Sequence, residues 1–254
     1  MPTNRPRILS TAHQFWRDAA SSVGRLAATR ALLAAVWEFL RDSTPARLRQ
    51  RYGDADYDWD YRVSTTSAAV GWRDRLLGTF HSAYQPTDPA AFHEMLDTLV
   101  AHTHLNFRDF TFLDLGSGKG RTLLMASDYP FRHIVGVELL PALDQIAREN
   151  LRRYKSESQQ CFSIESFCAD ATMFSFSDEP LVVYLFNPLG ESGLRRVVSN
   201  LEQSLRANPR PLYVLYHNPL LDHVLAESPV LRKICGTQQY TLFRGQDREV
   251  RSSS

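Results

Sequence analysis

Cysteine is scarce in this chain, and the few cysteines present form no recognisable pattern. Cys161, Cys168 and Cys235 are the only three among 254 residues. They form no CxxC pair and have no histidine nearby at ligand spacing, which argues against a structural zinc site and against a disulfide framework. We therefore expect three buried thiols in a reducing cytoplasm.

An excess of one charge sign is also missing. The chain carries 29 lysines and arginines against 28 aspartates and glutamates, for a formal net charge of +1. Proteins that bind nucleic acid through their overall charge need a broad positive field, because neutralising phosphates supplies much of the affinity. The sequence therefore gives no reason to expect DNA as a partner, and any RNA contact would need a local positive patch.

Long apolar runs are absent as well. The stretch from Ala31 to Val36 is too short to span a membrane, and no secretory leader pattern surrounds it. With 43% hydrophobic and 22% charged residues, the chain has the composition of an ordinary soluble globular protein. We expect a cytoplasmic location and no membrane span.

Residues 1–83 are expected to form a helical extension in front of the main domain. The first 51 residues contain nine arginines against three acidic residues, with apolar residues at helical spacing. This pattern predicts helices that cover the domain or, alternatively, a basic arm that faces a substrate or a membrane. The next stretch, GDADYDWDY, lacks the glycine and glutamate of a calcium loop, so we interpret it as a solvated turn.

Residues 84–254 are expected to form one α/β domain. Short apolar runs alternate with helical patterns, as in parallel βαβ units. The predicted strands are TFLDL, HIVGVEL, SFCAD, LVVYLFN and LYVLYHN, followed by a hairpin in LRKICGTQQYTLFRG. Helices are predicted after the cap Asp88, from Pro141, and up to a stop at Pro209. The expected fold is a doubly wound, mostly parallel seven-stranded sheet with an antiparallel C-terminal hairpin.

The stretch DLGSGKGR follows the first predicted strand and holds three glycines at alternate positions. A loop at the carboxyl end of such a strand is a binding loop by position. It does not match a P-loop, because Lys119 is followed by Gly120 instead of serine or threonine. It does not match the dinucleotide fingerprint either, because Arg121 stands where the third glycine is required.

Three successive predicted strands end in an acid: Asp114, Glu138 and Asp170. Asp114 would repel a pyrophosphate and attract a positively charged amino-acid tail. Glu138 stands where an acid binds both hydroxyls of a ribose. Asp170 could accept a hydrogen bond from an adenine amino group, or it could simply cap the next helix. A nucleoside joined to a cationic amino acid is S-adenosylmethionine, which we predict as the cofactor.

With these residues the chain resembles the class I S-adenosylmethionine-dependent methyltransferases over roughly residues 84–246. In that family an acid followed by Gly-x-Gly-x-Gly wraps the amino-acid part of the cofactor, and acids after the second and third strands approach ribose and adenine. DLGSGKG, GVELLP and CADATMF stand in those positions. The resemblance implies a cofactor site without metal, made of Asp114, Gly116, Ser117, Gly118, Gly120, Glu138, Asp170 and Ala171.

A looser resemblance links the chain to a bacterial branch of methyltransferases that is distantly similar to the non-SET lysine methyltransferases. It rests on DLGSGKGR with AYQPTDP upstream and YLFNPLG downstream. It implies that Tyr84 and Thr87 border the cofactor or the substrate opening, although Tyr84 could instead be a loop anchor.

The segment FNPL ends the fourth predicted strand, where this class places groups that meet the methyl acceptor. It partly resembles the Asn-Pro-Pro-aromatic signature of amino-group methyltransferases, but Leu189 and Gly190 replace the second proline and the aromatic residue. Asn187 is therefore the candidate catalytic residue, with a helix cap as the alternative. His217, which ends the fifth strand, could act as a base or be structural.

The sequence thus predicts an S-adenosylmethionine-dependent methyltransferase. The acceptor stays open among a protein amine, a small metabolite and RNA, and the oligomeric state is not predicted. Two alternatives remain. One is a non-catalytic binding module that keeps the fold, and the other is a nicotinamide-dependent oxidoreductase, which the mismatch at Arg121 disfavours.

Overall fold

The computed structural model describes Tyr57, Asp58 and residues 60–65, 87–186 and 189–246 of the chain. Within these ranges the longer helices are α1 (Pro89–Thr103), α2 (Arg121–Ala126), α3 (Pro141–Arg153), α4 (Glu191–Ala207) and α5 (Asp222–Ala226). The strands are β1 (Thr111–Leu115), β2 (His133–Glu138), β3 (Ile164–Cys168), β4 (Leu181–Phe186), β5 (Leu212–His217), β6 (Leu231–Gly236) and β7 (Tyr240–Gly245). Two short 3-10 turns cover Phe107–Asp109 and Ala171–Met173.

The seven strands form one sheet in the order β3-β2-β1-β4-β5-β7-β6. Strands β1 to β5 are parallel, whereas β7 runs antiparallel to both of its neighbours, β5 and β6. The prediction of a doubly wound, mostly parallel sheet with an antiparallel C-terminal hairpin is confirmed. The strand order reverses between β1 and β4, and ligands of such sheets bind in the crevice outside the carboxyl ends at this switch point.

Apolar residues on both faces of the sheet bury the central strands. All five residues of β1 are buried, as expected for a parallel strand that is covered on both faces. Helix α4 packs on one face through apolar residues spaced three and four apart, namely Leu194, Val197, Val198, Leu201 and Leu205. Helix α1 supplies the opposite face with Phe92, Met95, Leu96 and Leu99. This double covering fixes the strand ends on which the site is built.

The predicted helix starts are confirmed, and one strand is shifted. The Asp88 side chain caps α1 by accepting a hydrogen bond from the Ala91 amide at 2.9 Å, and Pro89 occupies the first turn. Helix α3 begins at Pro141. Strand β3 covers Ile164–Cys168, two residues earlier than the predicted SFCAD, because the chain turns at Asp170 into a 3-10 turn.

The end of the stretch GDADYDWDY packs against the domain. Tyr61 lies between Tyr57 and Tyr154, with ring centroids 4.7 and 5.2 Å apart. Both carboxylate oxygens of Asp58 accept a hydrogen bond from the Thr65 amide at 2.8 Å, and Thr65 is fully buried. The interpretation as a solvated turn is therefore wrong for this part. Residues 1–56, 59 and 66–83 lie outside the described residues, so the helical extension and its boundary stay predictions.

The three cysteines are free thiols, but they are not all buried. Cys161 is buried, Cys235 is half-buried and Cys168 is exposed. The prediction of three buried thiols is wrong for Cys168, because it ends β3, the strand at one edge of the sheet. Among the described helices, none combines the length and the hydropathy that a membrane crossing requires.

Candidate active site

The glycine turn after β1 requires its glycines. Gly116, Gly118 and Gly120 have φ angles of 92°, 54° and 80°. These values lie in the left-handed region, which glycine enters without the steric cost that a Cβ imposes. The amides of Gly116 and Ser117 both donate to the Val137 carbonyl oxygen, at 2.8 and 3.1 Å. The turn is thereby fastened to β2 at the carboxyl edge of the sheet.

A fourth glycine, Gly136 in β2, makes room for this turn and was missed by the sequence analysis. A Cβ at this position would lie 2.6 Å from Leu123 Cδ1 and 2.7 Å from Ser117 Oγ. Both distances are shorter than real Cβ contacts, so a larger residue would fit only if the side chains of Leu123 and Ser117 moved. The signal was available, because a glycine inside a strand often marks the close approach of another backbone.

Asp114 is buried beside the turn, with 2% of its surface exposed. The Thr122 hydroxyl donates a hydrogen bond to its carboxylate. Burial, together with the nearby negative charge of Glu138, raises the pKa of Asp114 to about 7 despite that hydrogen bond. A positive charge placed beside Asp114 would stabilise the carboxylate and lower this pKa.

Glu138 joins the turn to the start of α3. Its Oε2 atom accepts a hydrogen bond from the Gly118 amide, and its Oε1 atom accepts one from the Leu140 amide, both at 2.8 Å. Burial raises the pKa of Glu138, and the backbone amides partly offset this effect. A carboxylate offers about four acceptor positions. Capacity therefore remains on this side chain for hydroxyl donors such as those of a ribose.

These residues fit S-adenosylmethionine. Asp114 and Glu138 are two buried carboxylates whose negative charges repel each other. A cation bound next to Asp114 would offset this repulsion. The glycines let the backbone of the turn approach a ligand closely. The Ser117 hydroxyl, buried in the same turn, has no hydrogen-bond partner among the residues that the structure describes.

Asp170 and Ala171 follow β3 at the same edge of the sheet. Asp170 is exposed, and its Oδ1 atom caps the 3-10 turn by accepting a hydrogen bond from the Thr172 amide at 2.8 Å. The helix-cap alternative is thus observed, although an exposed carboxylate in this place can still meet an adenine amino group. Ala171 is buried in the core. The adenine contact stays a prediction.

Thr87 belongs to a hydrogen-bonded chain that crosses the ends of β4 and β5. Its hydroxyl lies 2.9 Å from the Tyr184 hydroxyl, which lies 2.8 Å from His217 Nδ1. Tyr184 is paired in register with Asp114, so these hydrogen bonds lie next to the strand that leads into the glycine turn. Burial lowers the pKa of His217 to about 4, which keeps the ring uncharged at neutral pH. Tyr84 and Asn187 lie outside the described residues, and their roles stay predictions.

Asn150 supports the glycine turn from behind and was also missed. Its Nδ2 atom donates to the carbonyl oxygens of Lys119 and Ser64, at 3.0 and 3.1 Å. Its Oδ1 atom accepts from the Ser64 amide at 2.8 Å. The buried Asn150 thus ties the segment 60–65 to the turn. The signal was its place on α3, on the same face as Leu143 and Ala147.

We expect Asn150→Ala to destabilise the protein by about 1 to 3 kcal/mol, because buried backbone groups of Lys119 and Ser64 lose their partner. Cofactor affinity should also fall, since the turn is less well held. Urea unfolding and calorimetry on the same preparation measure both effects. Gln145→Ala, at an exposed position of the same helix, is the control. Equal stability of the two variants would show that Asn150 does not support the turn.

No protein-family model matches the chain. The release factor glutamine methyltransferase of Vibrio cholerae serotype O1 is 39% identical over 70 residues, which make up 26% of this chain and 24% of that protein. The chain therefore matches about a quarter of the length of this curated relative.

Two solved structures overlap a larger part of the chain. An RNA methyltransferase from Salinibacter ruber, in complex with S-adenosyl-L-homocysteine, is 22% identical, with a TM-score of 0.44 over 66% of this chain and 98% of that one. TrmN from Thermus thermophilus is 17% identical, with a TM-score of 0.44 over 65% of this chain and 51% of that one. The parallel sheet with one reversed strand, β7, agrees with the mostly parallel sheet and C-terminal hairpin that the sequence predicted. The described strands thus form one seven-stranded sheet of a doubly wound α/β fold.

Proposed function

We propose that this chain is an S-adenosylmethionine-dependent methyltransferase. The observation that carries the proposal is the pair of buried acids, Asp114 and Glu138, on either side of a turn with three glycines in the left-handed region. The first acid suits a cationic amino-acid tail, and the second has acceptor capacity left for ribose hydroxyls. The partial sequence match to a glutamine methyltransferase supports the same function.

The residues of the chain have little covalent chemistry to perform in this reaction. When bound, S-adenosylmethionine supplies a methyl group that the positive charge of its sulfur has already activated. Asp114 would hold the cationic amino-acid tail and Glu138 the ribose, and the glycine turn would let the backbone enclose the cofactor. Alignment of two reactants can contribute about 7 to 11 kcal/mol to such a transfer. The protein therefore acts mainly by holding both partners in line and excluding water.

The two alternative functions fit these observations less well. A nicotinamide dinucleotide would bring its pyrophosphate close to the buried Asp114, where the charges repel. A binding module without a cofactor would carry two buried like charges at a cost to its stability and gain nothing from them. A bound cationic cofactor offsets this cost, so a module that binds no such cofactor fits the two buried acids less well.

The acceptor atom is proposed to meet Asn187, which directly follows β4. If the amide of Asn187 orients an acceptor nitrogen, Asn187→Ala should slow methyl transfer by about 100-fold, because alignment limits this reaction. Affinity for S-adenosylhomocysteine should stay close to wild type. Single-turnover rates and calorimetry separate these effects. A variant that is less stable by about 1 kcal/mol but fully active would identify Asn187 as a helix cap instead.

The function itself is tested by incubating the purified chain with methyl-labelled S-adenosylmethionine and fractions of a cell extract. Labelled protein, RNA or small amine in one fraction supports the proposal and names the acceptor class. Absence of label in every fraction, from a chain that binds S-adenosylhomocysteine, would favour the binding module. A reducing compartment such as the cytoplasm suits the three free thiols.

A further inference from the structure

A cavity lies near the glycine turn, at the carboxyl ends of β4 and β5. Its volume is about 540 Å³, which is enough for a side chain or a small ligand. We call it the β4–β5 cavity. The side chains that give it its chemical character are Asp88, Glu94, Phe186, His217, Gln238 and Gln239.

The strand register places this cavity next to the glycine turn. Leu115, the last residue of β1, pairs with Leu185 of β4, so Phe186 lies beside the point where the turn begins. Phe186 in turn pairs with His217 on β5. Neighbouring strands are about 4.8 Å apart, so the cavity begins one strand away from the turn. The cavity and the glycine turn therefore lie at the same edge of the sheet.

One wall of the cavity is flat, aromatic and uncharged. The rings of Phe186 and His217 are stacked, with centroids 4.2 Å apart and planes at 16°. His217 is fixed in this position by the hydrogen bond between its Nδ1 atom and the Tyr184 hydroxyl. Burial holds the pKa of His217 near 4, so the ring does not repel a cation at neutral pH. Aromatic faces attract positively charged groups.

The charged groups among the described lining residues of this cavity are carboxylates. The exposed side chains of Asp88, which caps α1, and of Glu94, on α1, line it, and its described lining residues include no lysine or arginine. The Asp88 carboxylate caps α1 through the Ala91 amide, and the Glu94 carboxylate accepts a hydrogen bond from the Tyr240 hydroxyl at 3.3 Å. Such a lining repels phosphates and favours cations.

We propose that the β4–β5 cavity receives the methyl acceptor and that this acceptor is a positively charged amine. The proposal rests on the methyltransferase function. The ammonium group binds between the carboxylates and the aromatic wall, and then loses one proton to water. The nitrogen lone pair forms the new N–C bond while the C–S bond of the cofactor breaks, which gives a methylammonium product and S-adenosylhomocysteine. RNA, whose phosphates the carboxylates repel, and a neutral amide fit this cavity less well.

Calorimetric titration of the full chain saturated with S-adenosylhomocysteine tests this proposal. The probes are spermidine, a short lysine-containing peptide, the same peptide with glutamine in place of lysine, and a single-stranded RNA oligonucleotide. We expect one of the two amine probes to bind and the glutamine peptide and the RNA not to bind. Binding of spermidine would indicate a small-molecule acceptor, and binding of the lysine peptide would indicate a protein side chain. Tighter binding of the glutamine peptide or the RNA would overturn the proposal.

Charge removal tests whether the amine occupies this cavity. Asp88→Asn combined with Glu94→Gln keeps a good helix cap and should weaken amine binding by about tenfold, the combined effect of two exposed carboxylates. Asp97→Asn, at an exposed position of the same helix, should change nothing. The affinity for S-adenosylhomocysteine is the control for folding, and it should be unchanged in both variants. Undiminished amine binding in the double variant would overturn the proposal.

The outcome also separates this proposal from the proposed function. If S-adenosylhomocysteine does not bind the wild type, the methyltransferase function fails, and the amine titration is repeated on the chain alone. Amine binding that still depends on Asp88 and Glu94 would then keep the cavity as an amine site. If the wild type binds S-adenosylhomocysteine but neither amine probe, the proposal of an amine acceptor is overturned and the proposed methyltransferase function stands.

Discussion

Asp114→Asn is expected to weaken S-adenosylhomocysteine binding by about 100-fold at pH 8. The variant removes the buried charge that we assign to the cationic amino-acid tail, and hydrogen bonds to charged groups contribute about 1.5 to 3 kcal/mol each. Calorimetry at pH 8 measures this loss. Asp178→Asn, at an exposed position, is the matched control and should bind as wild type does. Wild-type affinity in Asp114→Asn would show that the cationic tail lies elsewhere.

The same variant should raise the stability of the cofactor-free protein at pH 8. Burial raises the pKa of Asp114 from 3.8 to about 7. Between about pH 4 and pH 7 the folded chain therefore keeps a proton that the unfolded chain has already lost. Wild-type stability should therefore fall as the pH rises from about 4 to 7, by a few kcal/mol at most. Asparagine does not titrate, so this part of the fall should disappear. Urea unfolding at pH 5 and pH 8 measures it.

Glu138→Gln should weaken S-adenosylhomocysteine binding by about 10- to 100-fold. A glutamine amide nitrogen donates and cannot accept, so the amide of Gly118 or Leu140 loses its acceptor and the ribose hydroxyls lose a charged partner. Calorimetry measures the affinity, and Glu165→Gln, at an exposed position of the neighbouring strand β3, serves as the control. An unchanged dissociation constant in Glu138→Gln would mean that the ribose binds elsewhere.

The fold was largely predictable because its strong signals are local. The periodicity of α4, the Asp88 cap with Pro89, and the Pro141 helix start each follow from residues close in the chain. The end of β3 was predicted two residues too late. The strand ends before Asp170 because this residue caps a 3-10 turn, and the sequence pattern did not reveal that turn. The packing of Tyr61 against Tyr154 was missed because these residues are far apart in sequence.

The meeting of Asp114 and Glu138 at one edge of the sheet was predictable from their positions in the sequence, whereas the residues that support them were not. Asp114 and Glu138 end consecutive strands, and parallel strands bring such ends to one edge of a sheet. The Tyr184 hydroxyl instead links Thr87 and His217, which lie 97 and 33 residues away from it. No local pattern announces hydrogen bonds of that range. Gly136 and Asn150 carried usable signals, namely a glycine in a strand and an amide on a buried helix face.

Binding of S-adenosylhomocysteine and of NAD to the cofactor-free chain, compared by calorimetry and thermal melting, tests the central claim most directly. The buried acids and the glycine turn predict that one molecule of S-adenosylhomocysteine binds per chain and raises the melting temperature. At 100 times its dissociation constant, such a ligand stabilises the folded state by about 2.7 kcal/mol. NAD should produce neither heat nor a shift. Equal shifts with the two ligands, or no binding of S-adenosylhomocysteine to folded protein, would contradict the account.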